Sequence, residues 1–331
     1  MKYKGQFLFY FLGVSLLCLK VSAVFAKAPD TPKIVFAKTS GVEKYPDIYL
    51  MNPDGSEQVN LTKHRASDIF PVWSPTGEHI LFASNREHKA WGTWDLYLME
   101  PDGSNVRKVF DKWKRRRHPT WSPDGKRIAY SYGEIGNDSL YIGTIDGKEE
   151  ERVAIGHSPV WSPDGTEIIF RSGALGKPRR FSLLKVRTNR QTFFPFPKEP
   201  KWVRGPAWSP LGDKLAFSWN NRAELRREDF VFETIYIVNR DGTGLQQIIE
   251  EGQYAGNPVW SPNGNELLYD SIDANRDLQI YKISLDTGAS VQLTDGESWN
   301  YLGDWFDPAY ALPVSPQPQL LTTTWGDIKK R

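Results

Sequence analysis

Residues 119–130 read Pro119-Thr-Trp-Ser-Pro-Asp-Gly-Lys-Arg-Ile-Ala-Tyr130. Serine, proline, aspartate and glycine in succession suit the four corners of a type I turn, with the glycine in the left-handed conformation that closes a hairpin. The run from Lys126 to Tyr130 reads as a strand carrying inward aliphatic and aromatic residues. The phrase recurs as Trp73-Ser-Pro-Thr-Gly77, Trp161-Ser-Pro-Asp-Gly165, Trp208-Ser-Pro-Leu-Gly212 and Trp260-Ser-Pro-Asn-Gly264. From Trp73 onward the successive spacings are 48, 40, 47 and 52 residues. Trp305-Phe-Asp-Pro308 is a decayed sixth copy, 45 residues further on. Proline stands two residues before the tryptophan in every full copy, at Pro71, Pro119, Pro159, Pro206 and Pro258. Regular recurrence predicts that Trp73, Trp121, Trp161, Trp208, Trp260 and Trp305 are buried packing residues of a repeat.

A second hairpin follows most copies. Asp47-Ile-Tyr-Leu-Met-Asn-Pro-Asp-Gly55, Asp95-Leu-Tyr-Leu-Met-Glu-Pro-Asp-Gly103 and Thr234-Ile-Tyr-Ile-Val-Asn-Arg-Asp-Gly242 share its pattern, and looser versions begin at Ser139, Phe181 and Leu278. Each repeat therefore holds four short strands, A to D. The ends are out of phase: the chain opens with an orphan B strand at Lys33–Phe36 and a C–D hairpin ending near Thr62, and closes with an orphan A strand at Trp305. The two orphans complete one blade, which closes a ring and removes free sheet edges. The expected fold is all-β, a six-bladed β-propeller of four-stranded antiparallel blades over residues 27–308, its ring closed by N-terminal strands.

These phrases resemble the repeats of the TolB-type, WD-repeat-like propeller family. The resemblance covers nearly all of the chain after residue 26 and implies a periplasmic, protein-binding role. In TolB itself an α/β domain precedes the propeller, and the residues ahead of the first strand here leave no room for one.

Residues 1–26 read as a secretory signal peptide. Lys2 and Lys4 precede an apolar run from Phe7 to Leu19, and small residues lead to a cut after Ala26, or else Ala23. Cys18, the only cysteine, lies in this segment behind the large Leu17, which disfavours lipid attachment. Cleavage removes three lysines and no acids, which takes the net charge from +2 to −1. A near-neutral exported protein is a poor nucleic-acid binder. No later segment is long and apolar enough to span a membrane. Residues 309–331 form a tail with Pro313, Pro316 and Pro318, read as an extended linker, then Leu320–Gly326 and a basic end.

Tight turns join A to B and C to D on one face of the ring, while irregular loops join B to C and D to A on the other. Binding residues concentrate in such loops. The B–C loops include Asn85–Trp94, with Trp91, and Asn220–Glu233. Formal charges of the D–A loops, taken from residue 63, run +1, +4, 0, +2, −2 and −3. The +4 belongs to residues 110–120, with Lys114, Arg115, Arg116 and Arg117 in succession, and stands opposite the −2 loop in a six-membered ring. This predicts a charge-polarised mouth suited to steering a partner, with Trp113, Trp202, Tyr254, Trp299 and Tyr301 as aromatic contacts. The candidate binding residues are Arg115, Arg116, Arg117, His118, His157, Arg204, Tyr254, Asn257, Trp299 and Tyr301. The expected partner is a protein or cell-wall component bound by a monomer, with no cofactor.

Enzyme readings have less to stand on. Gly156-His-Ser158 begins a nucleophile elbow that Pro159 and Val160 break, and phosphate-cradling glycine motifs and paired-cysteine metal sites are absent from the sequence. Asp273-Ala-Asn-Arg-Asp277 has the oxygen-rich look of a calcium loop, but it reads as a B–C turn without the EF-hand glycine and distant glutamate. The alternative is a metal-dependent hydrolase or lyase using His64, His118 and His157, which fall in consecutive D–A loops. Loop histidines at unequal depths, with no evenly placed carboxylate, fit that alternative poorly.

Overall fold

The computed structural model describes residues 27–39, 45–88, 92–134, 137–173, 179–196, 200, 202–220 and 233–313. The signal-peptide reading of residues 1–26, Trp91, residues 221–232 of the fourth B–C loop and the tail beyond Leu312 and Pro313 fall outside these residues.

The chain opens with β1 (Lys33–Thr39), β2 (Asp47–Met51) and β3 (Val59–Asn60). Four strands then form each sheet in turn. The first set is β4 (Asp68–Trp73), β5 (Ile80–Ser84), β6 (Asp95–Met99) and β7 (Arg107–Lys108). The second is β8 (Arg116–Trp121), β9 (Arg127–Glu134), β10 (Asn137–Thr144) and β11 (Glu150–Ile155). The third comprises β12 (His157–Trp161), β13 (Glu167–Ser172), β14 (Arg180–Lys185) and β15 (Arg190–Phe193). The fourth comprises β16 (Val203–Trp208), β17 (Lys214–Asn220), β18 (Glu233–Asn239) and β19 (Gln246–Gln247). The fifth comprises β20 (Ala255–Trp260), β21 (Glu266–Ile272), β22 (Leu278–Ser284) and β23 (Ser290–Gln292), and β24 (Trp299–Phe306) ends the series. All pairings are antiparallel between sequence neighbours, except that β24 pairs with β1 to give the order β24-β1-β2-β3. The protein is a six-bladed propeller, and the two orphan halves complete the sixth blade as the repeat phase predicts.

The recurring phrase forms the A–B turn. In the second blade Gly125 N donates to Ser122 O at 2.9 Å, and Ser122 Oγ is held by Asp124 Oδ1 and Arg127 O at 2.6 and 2.9 Å. The five full-copy tryptophans are between 5% and 8% exposed, and Trp260 Nε1 donates to Ala207 O of the preceding blade at 3.0 Å. At the closure Phe306 replaces the turn serine. Its ring lies 5.3 Å from that of Trp73, and a Cβ on Gly77 (φ +73°) would meet it at 2.2 Å. The last blade is thereby fastened to the first by an aromatic pair as well as by the Trp73 N–H bond to Asp304 Oδ2.

One feature of the inner strands is absent from the sequence reading. Three residues before each full-copy tryptophan the backbone turns left-handed: φ is +55° at Phe70, +50° at His118, +54° at Ser158, +51° at Gly205 and +49° at Asn257. The ladder slips register at each of these places. The following proline has no N–H to leave unpaired, so a bulge there forfeits no donor. The bulge also starts the inner strand earlier than the turn pattern implies, and residues assigned to loops lie on strands.

Replacing Phe306 with alanine is expected to lower unfolding free energy by about 3 kcal/mol, the usual cost of emptying an aromatic core site. Urea denaturation of the variant beside wild type measures it; an unchanged midpoint would show that the closure does not depend on this ring.

Candidate functional site

The irregular-loop face surrounds the inner mouth of the ring, where the inner strands begin. The basic run divides sharply here. Arg116 and Arg117 are the first residues of β8 and are only 1% and 4% exposed, not members of a solvated rim. Arg116 donates to both oxygens of Asp95 in the first blade at 2.9 and 3.1 Å and to Glu150 Oε2 at 2.9 Å, with its guanidinium 4.0 Å from the Phe110 ring centre. Burial works against this cation, and Asp95 with Glu150 more than offsets it. Burial also opposes ionisation of Glu150, yet hydrogen bonds from Lys114, Tyr130 and Arg116 hold its carboxyl down at about 2. Arg117 pairs with buried Asp138 and donates to Gly133 O at 2.9 Å. Arg115 is partly exposed and pairs with Glu134 at 2.8 Å, and Lys114 pairs with Glu150. The expected basic pole is therefore corrected: most of its charge is consumed in tying β8 to its neighbours. The formal sum of a loop counts charges without locating their partners, which lie 19 to 36 residues away in sequence.

The histidines also separate. His64 is exposed, its Nδ1 accepting from Ala66 N, while His118 and His157 meet at the mouth with ring centres 6.3 Å apart. His118 stands at 3.2 Å from Ser131 Oγ and under Phe70, and His157 contacts Ser158 Oγ at 3.0 Å and Arg179. Burial, with the charges of Arg117 and Arg171, pushes His118 down to about 3, and His157 is lowered further by burial and Arg171. Both rings are neutral at physiological pH. Among the described residues no three His, Cys, Asp or Glu side chains converge in a metal-binding group.

The opposite arc is more exposed. Trp299 and Tyr301 on β24 are 49% and 36% exposed, with ring centres 6.4 Å apart. Tyr254 is half-buried, its phenol pushed up by burial and by Glu233 and Asp270. Asn257 faces the lumen and donates to Asp270 Oδ2 at 2.9 Å, and Arg204 lies 3.6 Å from Glu233. Asp270 also accepts from Leu302 N at 3.0 Å, and burial drives its carboxyl up to about 7. Asp304 accepts from Trp73 N and Trp305 N at 2.9 and 2.8 Å and is likewise pushed up by burial, to about 6. Asp270 and Asp304 thus hold protons more readily than ordinary carboxyls, and both fasten the closing strand.

A family model described as the TolB beta propeller domain matches residues 158–312. That match spans 155 of the 331 residues. Its fold matches TolB from Acinetobacter baumannii at 16% identity, with a TM-score of 0.67, over 84% of this chain and 67% of that one. It matches a putative TolB from Agrobacterium tumefaciens at 18% identity and TM-score 0.62, over 83% of this chain and 99% of that one. A chain of a nidogen/laminin complex matches at 8% identity and TM-score 0.62, over 83% and 97%. Identities this low speak for the fold alone. Among curated proteins none matches the chain by sequence. No described helix is long and apolar enough to cross a membrane.

Two outcomes test this geometry. Arg116→Ala strands Asp95 and Glu150 and is expected to cost about 3–5 kcal/mol, whereas Arg115→Ala at its exposed pair should cost about 0.5 kcal/mol or less, both measured by denaturant unfolding. Comparable losses would contradict the division of the run. For Asp270, a folded-state pKa above the ordinary 3.8 means that stability is fully present at low pH and is lost as pH rises towards about 7. Asp270→Asn is therefore expected to gain on wild type by about 1 kcal/mol per pH unit between about pH 4 and 7, then level off. A pH-independent difference in melting would refute the shift.

Proposed function

We propose that the chain is an exported protein-binding propeller, periplasmic or extracellular, that engages an envelope protein or cell-wall partner through the loop face around its channel without catalysing a reaction. The observation that carries this reading is the exposed Trp299–Tyr301 pair on β24 at the mouth. Exposed aromatics beside polar groups are the usual anchors of protein interfaces, where they bring a large apolar area at small entropic cost. Lys38 and Asn300 pair across the same strands, and the neighbouring fifth D–A loop contributes Tyr254. The signal-like residues 1–26 and the TolB-type fold support the compartment. The arginine run contributes rigidity to the mouth, and Arg115 remains as its accessible charge.

The test is capture from an envelope extract by wild type, by a Trp299→Ala/Tyr301→Ala variant and by Leu211→Ala, which alters an exposed residue of the opposite, tight-turn face. Capture of a defined partner is expected from wild type and Leu211→Ala, with about a tenfold or greater loss in the double variant. Equal recovery by all three would overturn the assignment of the face. Reversing Arg116 and Arg117 would instead report on folding, because both are buried ion-pair donors.

A further inference from the structure

Inside the ring three of the blade junctions share a fastening. A side chain on the second strand of one blade accepts from the backbone N–H of the bulged inner strand of the next. Ser131 Oγ accepts from Ser158 N at 2.9 Å, Ser218 Oγ from Asn257 N at 2.9 Å, and Asp270 Oδ1 from Leu302 N at 3.0 Å. At the same register the first and sixth blades carry Ala83 and Ala37, which supply no acceptor, and the third blade carries a cation. Register places Arg171 on β13 opposite His157, as Ser131 stands on β9 opposite Arg117, so a donor occupies the acceptor's position. Arg171 Nε is buried and without a hydrogen-bond partner, and among the described residues Arg171 makes no ion pair.

The surroundings intensify this. Arg204 and Arg179 both lie close enough to repel Arg171, and Glu233 attracts it but is already 3.6 Å from Arg204. Burial and the two neighbouring cations push the Arg171 guanidinium down to about 9. His118 and His157, beside it, are neutral donors or acceptors and add no counter-charge. At the bulge of the fourth blade, Gly205 contributes no side chain, because a Cβ would meet Asn257 Cα at 2.9 Å. A buried cation without a partner is costly, and a fold retains it where something supplies the missing charge.

We infer that the lumen at the third and fourth blades binds a carboxylate, with Arg171 as its anchor and Arg179 and Arg204 as flanking cations. A guanidinium presents two parallel N–H groups to a carboxylate, and Arg171 as a whole is half-buried, with only its Nε fully enclosed. The bound oxygen takes the acceptor role that serine or aspartate plays in the second, fourth and fifth blades. Glu233, beside Arg204 and Arg171, penalises a second negative charge, which selects a monoanion over a phosphate dianion. This goes beyond the partner proposed above and does not require it, since the carboxylate can belong to a free acid or to a peptide.

The test is isothermal titration of the full chain with acetate, with inorganic phosphate, and with a short acetylated peptide ending in a free carboxylate beside its C-terminal amide. Carboxylate binding is expected, stronger than phosphate, with about a tenfold or greater loss in Arg171→Gln and a smaller one in Arg171→Lys, which keeps charge but loses the fork. Acetate binding as tightly as the acid peptide assigns the site to free acids; peptide binding alone assigns it to a chain terminus. Circular dichroism melting of both variants verifies folding, and should Arg171→Gln unfold, Arg204→Gln provides the same comparison. Phosphate binding tighter than acetate, an amide binding as well as the acid, or affinity unchanged in the folded variants would overturn the proposal. A failed envelope capture leaves this titration unaffected, so the two readings fall separately.

Discussion

The pairing of β1 with β24 is the constraint on which the other blades depend. Seven residues of β1, from Lys33 to Thr39, find partners on a strand 260 or more residues later, with one register slip between Val35 and Phe36. Without that pairing the sixth sheet would be split between the chain ends, and two open edges would face solvent. With it, every inner strand has a neighbour on both sides of the ring, and the mouth becomes a closed wall. Phe306 against Trp73 and the carboxylate of Asp304 on Trp73 N fasten the same junction sideways. Contacts of such sequence separation are slow to form, and their loop-closure cost is met late in folding.

Closure has an electrostatic consequence. Groups buried where the inner strands meet are removed from water, so charges that would be ordinary on a surface are strongly perturbed there. Asp270 and Asp304 respond by holding protons near neutrality, and they retain their places by accepting backbone N–H groups of the next blade or of their own strand. Arg116 responds by taking two carboxylates. Arg171 has neither recourse, which distinguishes it from the other cations of the mouth.

Much of the fold was legible because a propeller repeats its local chemistry. Type I turns with glycine at the last corner, tryptophans at constant register and alternating strands are local properties, and their phase exposed the split blade. The candidate site was less legible. Trp299 and Tyr301 were identified from their place in a D–A loop, and they are exposed as that reading requires. Arg116 and Arg117 were misread as solvated because the bulge three residues before each tryptophan lengthens the inner strand backward. Their counter-ions, Asp95, Glu150 and Asp138, sit on other strands. The signal for the bulge was present in the invariant proline that follows it, since a strand residue without an N–H marks a place where the ladder is interrupted.

The sequence by itself determined the blade, the number of blades and the way the ring closes, because turns, strand alternation and repeat phase are set by residues near one another in the chain. Only the tertiary structure decided which charges are free. The partners of Arg116, Arg117 and Asp270 come from other strands and other blades, and the lack of a partner for Arg171 is visible only when the lumen is assembled. Burial and pairing are properties of that assembled interior, and a local sequence carries no record of them.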